Sequence, residues 1–275
     1  MPELPEVEVI RRGLANSITG RKITRILCGG KRLRLSLPRK KLAGYIGDQE
    51  ITNVERRAKY LLIHTASGAV LVIHLGMSGR LGLFPEKTPR AKHDHLRLLL
   101  DNGLELRFND ARRFGSIQVL SRDAISSPAN FFSAIGPEPL GREYTAAYLR
   151  KRAGNRRQPV KNFLMDARVV AGIGNIYASE ILFDAGLHPE RPVCGLEPRE
   201  WQRLVSSSRK ILKRAIKCGG TTIADYVDAS GSRGLFQVEL RVYGKKDAPC
   251  GRCAAPIKKT VLAGRSSFFC PHCQS

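Results

Sequence analysis

Four cysteines near the C-terminus restrict this chain more than any other feature. Cys250 and Cys253 form one Cys-x-x-Cys pair, Cys270 and Cys273 form a second, and sixteen residues separate the two pairs. That spacing fits a tetrahedral site in which each pair supplies two thiolates to a single ion, and zinc suits this donor set. Protein ligands fill all four positions, which leaves none open for chemistry. The expected role is therefore structural: one Zn2+ staking out a short β-hairpin that could not fold alone. Four free thiols are the alternative. Cys28, Cys194 and Cys218 have no such spacing and are read as packing residues.

The charge balance limits the partner. Forty-seven Lys and Arg against twenty-four Asp and Glu give +23 over 275 residues, with a pI near 10.3. Such an excess implies a polyanion, nucleic acid first and an anionic membrane surface second. The basic residues run from Arg11 to Arg265 without forming a tail or an amphipathic membrane helix, which favours a groove built from several segments. Hydrophobic content of 42% and charged content of 26% are those of globular material. Apolar runs stay short of a membrane span, and Glu3, Glu6 and Glu8 stand where a signal peptide would be basic and then apolar. The expected setting is the cytoplasm, in association with the nucleoid, with no membrane partner.

Along the chain, the apolar positions Val7, Ile10 and Leu14 predict an opening helix. Residues 22–36 alternate apolar and basic side chains, as a half-buried strand does. The runs 54–65 and 69–75, joined by Ala66-Ser67-Gly68, predict further strands. So do 96–100 and 104–108, which flank the hairpin signal Asp101-Asn102-Gly103, and the short run 117–120. Antiparallel strands with one early helix indicate a sandwich or barrel. The prolines and glycines of residues 136–141 break the pattern and mark a domain boundary. Beyond them, residues 144–152, 160–166, 176–185 and 198–218 read as helices, stopped by Gly186 and by Gly219-Gly220.

Several short motifs carry possible chemistry. The chain begins Met1-Pro2-Glu3-Leu4-Pro5-Glu6. Once Met1 is removed, Pro2 presents a secondary amine, and a terminal amine of pKa about 8 is partly unprotonated at neutral pH. Such an amine can attack the anomeric carbon of a sugar, expel a base and leave an iminium ion, with neighbouring carboxylates moving the protons. Ordinary helix-start chemistry uses the same residues, since Pro5 suits a first turn and Glu3 and Glu6 suit a helix N-terminus. Gly172-Ile173-Gly174-Asn175-Ile176-Tyr177-Ala178 looks like a dinucleotide fingerprint but lies among helices. It reads better as a turn followed by a helix starting near Asn175, either purely structural or cradling a phosphate. Met77, in His74-Leu75-Gly76-Met77-Ser78-Gly79, and the basic-aromatic tip Asp110-Ala111-Arg112-Arg113-Phe114-Gly115 are either core or wedges that enter a duplex. Lys59 and Arg265, the latter at the expected hairpin tip after Ala263-Gly264, are solvated or touch phosphate. His93-Asp94-His95 is metal-like in composition but lacks a third ligand nearby.

Together these segments resemble the bacterial formamidopyrimidine-DNA glycosylases. The likeness runs from Met1-Pro2-Glu3-Leu4-Pro5-Glu6 through Arg57-Ala58-Lys59-Tyr60, residues 74–79, 112–115, 136–140 and 172–180, to the four cysteines. It implies an α+β multidomain fold: an N-terminal β-sandwich with flanking helices over 1–136, a helix-two-turn-helix domain over 137–244 and a zinc-finger β-hairpin over 245–275. Duplex DNA would lie across the cleft between domains. The implied activity is removal of oxidised purines, 8-oxoguanine and formamidopyrimidines, through a Schiff-base intermediate on Pro2, followed by β- and δ-elimination at the abasic site, by a monomer. By resemblance, Glu3 is the acid/base, Glu6 a supporting carboxylate, and Lys59 both a member of the catalytic group and a phosphate contact. His74, His93, Asn175, Tyr243 and Arg265 are DNA contacts, and Lys161 is a DNA contact near the lesion. Met77, Arg112 and Phe114 fill the void left by the everted nucleotide, with Arg112 facing the orphaned base. The Gly- and Ser-containing stretch 221–234 corresponds to a segment that covers the everted base. An endonuclease VIII-like enzyme acting on oxidised pyrimidines shares this plan, but Leu4 instead of glycine and the full wedge set favour the purine enzyme. A DNA-binding zinc protein without catalysis would leave the Pro2-Glu3 start as coincidence.

Overall fold

The opening helix, α1 (Leu4–Ile18), shows how local chemistry and packing divide the work. Leu4, Val7, Ile10, Leu14 and Ile18 form a stripe at helical spacing, and none is more than 6% exposed. At about 1.5–3 kcal/mol per buried side chain, this stripe holds the helix against the sheet. Its start is fixed by a capping box. The Glu3 side chain accepts the Glu6 backbone N–H, and Glu6 Oε2 accepts the Glu3 backbone N–H at 2.8 Å.

In the computed structural model, which describes residues 2–220 and 240–275, the described chain divides into two units, 2–133 and 134–220 with 240–275. After α1 the first unit holds β1 (Ile23–Cys28) and α2 (Arg39–Lys41), which continues as a π turn over Leu42–Ile46. There follow β2 (Ile51–Arg57), β3 (Tyr60–Thr65), β4 (Val70–His74), β5 (Gly79–Pro85), β6 (Asp94–Leu100), β7 (Leu104–Asp110), β8 (Ser116–Leu120) and α3 (Arg122–Ser126). Two antiparallel four-stranded sheets, ordered β1-β6-β7-β5 and β2-β3-β4-β8, enclose one apolar core that includes Leu71 and Ile73 from one sheet, Leu98 and Leu106 from the other, and Val7 and Leu14 from α1.

The expected sandwich is present, with local differences. The alternation expected over 22–36 gives a strand only as far as Cys28; beyond it Gly29 still lies against β6, its N–H bonded to the His95 carbonyl at 2.8 Å, and a Cβ there would stand 2.9 Å from the Asp94 carbonyl oxygen. The run 54–65 is cut by a two-residue turn at Ala58-Lys59, with Ala58 at φ +54°. β5 was not expected, since Gly79, Gly82 and Pro85 obscure its strand pattern, yet it pairs with β7 from Gly79↔Asp110 to Pro85↔Leu104.

The second unit contains α4 (Ala146–Ala153), α5 (Val160–Met165), α6 (Asn175–Ala185) and α7 (Pro198–Lys217), close to the expected helices. Gly186, at φ +70°, ends α6 in a left-handed cap. β9 (Lys258–Leu262) and β10 (Arg265–Phe269) form the hairpin, turning at Ala263-Gly264 as expected. The hairpin is rooted on α6 through a small cluster of Phe183, Val242, Cys250, Ile257 and Cys270. Cys28 packs against the sandwich core, whereas Cys194 is exposed on a single 3-10 turn and is no packing residue. Among the described residues, no helix is long and apolar enough to cross a membrane.

Candidate active site and nucleic-acid interface

In the first unit the candidate functional residues lie at the start of α1 and on the turns of the second sheet. Pro2 is half-buried, and the capping box pins both carboxylates behind it: Glu3 and Glu6 are each 2% exposed. Pro2 is thereby followed at once by rigid backbone. Glu8, further along α1, meets Arg11, Arg12 and Arg56 at 2.8–3.1 Å. Burial pushes its carboxyl up, but these guanidinium groups outweigh burial and hold it below the usual range. Arg56 Nη1 also donates to the Ala58 carbonyl at 3.0 Å, which fastens α1 to the turn that carries Lys59.

His74 ends β4 opposite Tyr60, with the two rings 4.8 Å apart. Burial, reinforced by the positive charges of Lys59 and Arg34, lowers its pKa from 6.5 to about 4, so the ring is neutral at pH 7. Its Nδ1 accepts the Gly76 backbone N–H at 3.1 Å, which leaves the proton on Nε2. His74 is thus a neutral hydrogen-bond donor rather than a cation. His93 is half-buried just before β6, and its carbonyl accepts the Asp110 N–H at 3.1 Å.

The two candidate wedge segments stand side by side. Met77 lies on the β4–β5 turn and is 45% exposed, and Phe114 lies on the β7–β8 turn and is 44% exposed. Arg112 stacks over the Phe114 ring at 4.8 Å. Large exposed apolar side chains on polar turns fit insertion into a base stack better than a core role. Sequence reasoning missed Ser78 and Asp110, which link these turns: Ser78 Oγ donates to Asp110 Oδ1 at 2.6 Å. Both lie inside the 74–79 and 110–115 motifs, but nothing in the linear sequence pairs them.

In the second unit, Lys161, Asn175, Tyr243 and Arg265 converge on the hairpin. Arg265 is exposed at its tip. Lys161, on α5, is 1% exposed, and its Nζ donates to the Ser266 carbonyl at 2.9 Å and to Ser267 Oγ at 2.7 Å. Asn175 Nδ2 donates to the same Ser266 carbonyl at 3.0 Å, while its buried Oδ1 has no hydrogen-bond partner. Tyr243 packs edge-on against Phe268 at 5.1 Å. Glu180 of α6, another residue that sequence reasoning missed, holds the segment leading to Tyr243: its carboxylate accepts the backbone N–H groups of Arg241, Val242 and Tyr243 at 2.8–2.9 Å. The stretch 221–234 lies outside the described residues.

The four cysteines form a metal-competent cluster. Their Sγ atoms all lie within 4.8 Å of one another, with Cys250–Cys273 at 3.9 Å and Cys253–Cys270 at 3.4 Å. A tetrahedral ion with metal–sulfur bonds of about 2.3 Å needs sulfur atoms about 3.8 Å apart. The backbone N–H groups of Arg252 and Cys273 point at Cys250 Sγ and Cys270 Sγ, each at 3.4 Å, and favour thiolates. The donor set therefore fits one four-coordinate ion and leaves no position for substrate.

The comparisons agree with this geometry. Residues 1–117 match the formamidopyrimidine-DNA glycosylase N-terminal domain, 135–227 the H2TH domain of those enzymes, and 248–275 the zinc finger found in FPG and IleRS. The chain is 45% identical over 274 residues to the formamidopyrimidine-DNA glycosylase of Serratia proteamaculans and 44% identical to that of Acidithiobacillus ferrooxidans, with 100% of each chain covered. It matches Lactococcus lactis Fpg in complex with DNA containing an abasic site (TM-score 0.90, 36% identity) and with DNA containing an oxidised pyrimidine (TM-score 0.89, 35% identity), again over 100% of both chains. A point variant of that protein bound to Fapy-dG DNA gives a TM-score of 0.89 at 36% identity, with 100% of both chains covered. Matches in family order along the whole sequence, on a sandwich, a helical region and a four-cysteine hairpin, make this chain a member of the formamidopyrimidine-DNA glycosylase family.

Proposed function

We propose that this chain is a base-excision repair glycosylase and abasic-site lyase that removes oxidised purines from duplex DNA through the amine of Pro2. The observation that carries the assignment to Pro2 is the buried capping box, which fixes Glu3 and Glu6 directly behind a proline at the N-terminus. After Met1 is cleaved, the Pro2 nitrogen attacks C1′ of the damaged nucleotide and the purine leaves. Glu3 supplies the proton that opens the sugar ring, giving a C1′=N iminium. The iminium acidifies C2′. Loss of a C2′ proton expels the 3′-phosphate, and a second elimination expels the 5′-phosphate. Glu6 acts by holding the Glu3 backbone.

Met77, Arg112 and Phe114 fill the gap left by the everted nucleotide, which offsets an eversion cost of a few kcal/mol. Lys59, His74, His93, Asn175, Tyr243 and Arg265 serve the DNA backbone, His74 through its neutral Nε2–H. Lys161 serves it indirectly by bracing the hairpin that carries Arg265. The ion on Cys250, Cys253, Cys270 and Cys273 is a single structural Zn2+, and it takes no part in bond making. The protein works as a monomer on nucleoid DNA in the cytoplasm.

The test is borohydride trapping on duplexes carrying 8-oxoguanine opposite cytosine, an oxidised pyrimidine or an abasic site, after mass spectrometry of the N-terminus. Wild type lacking Met1 should become covalently fixed to DNA. Pro2→Gly should lose most of the adduct and Glu3→Gln should slow base release. Preference for the pyrimidine duplex would move the chain to the endonuclease VIII-like reading. DNA binding without any adduct would leave only a binding protein.

A further inference from the structure

Resting on the glycosylase reading, we propose that Asp110 is a positioning residue that welds the Met77 turn and the Arg112–Phe114 turn into one rigid wedge. Asp110 ends β7, opposite Gly79 at the start of β5, and is 0% exposed. Its two carboxylate oxygens serve different turns. Oδ1 accepts the Ser78 hydroxyl at 2.6 Å, next in the chain to Met77, and Oδ2 accepts the Gly115 N–H at 2.8 Å, next to Phe114. Ser78 Oγ in turn accepts the Arg112 N–H at 3.3 Å, which closes the circuit. Bonds to an ionised acceptor are shorter and stronger than neutral ones, so a buried carboxylate is a firm clasp.

The backbones beneath this clasp interlock. A Cβ on Gly76 would collide with the Phe114 carbonyl carbon, and one on Gly115 would stand 2.9 Å from the His74 carbonyl oxygen. Arg113, between the two wedge residues of its turn, sits at φ +60°, a left-handed conformation that a non-glycine residue keeps only when its surroundings impose it. Above this base the side chains of Met77, Arg112 and Phe114 are exposed, so their spacing is set from below, by the clasp and the interlocked backbones. Three side chains that must enter one gap together lose most of their benefit if their turns move independently. The clasp matters only while an intact nucleotide is being driven out of the stack. At a preformed abasic site no base has to be displaced.

The experiment compares Asp110→Asn, Asp110→Ala, Ser78→Ala and Ser78→Thr with wild type. It measures single-turnover excision of 8-oxoguanine, single-turnover cleavage of a preformed abasic site, and eversion followed by 2-aminopurine fluorescence beside the lesion. Ser78→Ala should slow eversion and excision about tenfold relative to abasic-site cleavage, the loss expected when one bond to a charged group is removed. Ser78→Thr should restore the ratio. Asp110→Ala should exceed Ser78→Ala, and Asp110→Asn, which keeps an acceptor for Gly115, should fall between wild type and Asp110→Ala. If Asp110→Ala does not fold, the Ser78 pair decides. Equal losses on both substrates, or eversion at the wild-type rate, would overturn the clasp while leaving the glycosylase reading intact. A wild type that neither excises a base nor traps on DNA overturns both.

Discussion

Glu6 and Glu200 hold the same local post in two helices. Each is the third residue of a helix whose N-cap glutamate accepts its amide, with a proline in the first turn, in α1 after Glu3 and in α7 after Glu197. The comparison separates capping from catalysis. Alanine at either position should cost about 1 kcal/mol in urea unfolding for the lost cap, to which Glu200→Ala adds the loss of the two Arg191 bonds at 2.7 and 2.8 Å. Only Glu6→Ala should also lower the yield of the borohydride adduct, since only there does the box stand behind Pro2. Equal adduct yields from the two variants would reduce the α1 box to helix initiation.

His74 gives a second prediction at this scale. Its folded pKa of about 4 lies below the 6.5 of an unperturbed ring, so between those values the unfolded chain binds more protons. Stability from this site is therefore complete above pH 6.5 and is lost as pH falls toward 4. His74→Gln should flatten that part of the stability–pH profile, and an NMR titration should show the ring neutral at pH 6. A midpoint near 6.5 would refute the burial argument. The motif around His74 was legible in the sequence. Its protonation state was not, because that depends on burial against Tyr60 and on Lys59 and Arg34 arriving from other parts of the chain.

At the scale of elements, the periodic segments were legible and the irregular ones were not. The stripe of α1, the 101–103 hairpin and the stops after α6 and α7 follow from local spacing and from glycine. β5 was hidden because it is recognised by its pairing with β7, from Gly79↔Asp110 to Pro85↔Leu104, well beyond the reach of a local sequence pattern. Glu180 was hidden for the same reason: in sequence it is one more helix residue. In the fold it is the acceptor for three consecutive backbone N–H groups that lead to Tyr243. Glu180→Ala would leave those groups without their acceptor. Thermal or urea unfolding of the metal-loaded protein should register a loss of about 3 kcal/mol, with weaker DNA binding through displaced Tyr243. A change within error would mean that the Tyr243 segment is held by its packing on Phe268.

At the scale of the whole molecule, charge and metal dominate. The +23 chain should bind duplex DNA with an affinity that falls steeply with salt, by about 0.9 in the log–log slope for each phosphate neutralised. Lys59→Ala and Arg265→Ala should each reduce that slope by about one. His74→Gln should weaken binding without changing the slope, because the neutral ring it replaces displaces no counterion. Removal of the metal should melt β9–β10, whose apolar cluster is too small to stand alone, while the sandwich keeps its circular dichroism. Undiminished binding after verified chelation would show that the finger is dispensable for affinity.

The sequence by itself determined the features that are local in the chain or summed over it. The cysteine spacing announces a four-thiolate site, the apolar periods announce sandwich strands and later helices, the composition announces a polyanionic partner, and Pro2-Glu3 with the ordered motifs announces the family. Tertiary structure decided the relations between distant residues. It buried the Glu3–Glu6 capping box, whose pairing is local, and turned His74 into a neutral donor. It set Lys161 under the hairpin as a brace, and it brought Ser78 and Asp110, 32 residues apart, to 2.6 Å. The physical reason is the range of the forces read in each case. Period, capping and ligand spacing act within a few residues, whereas burial, desolvation and hydrogen bonding between turns exist only after the sheets have closed on their core.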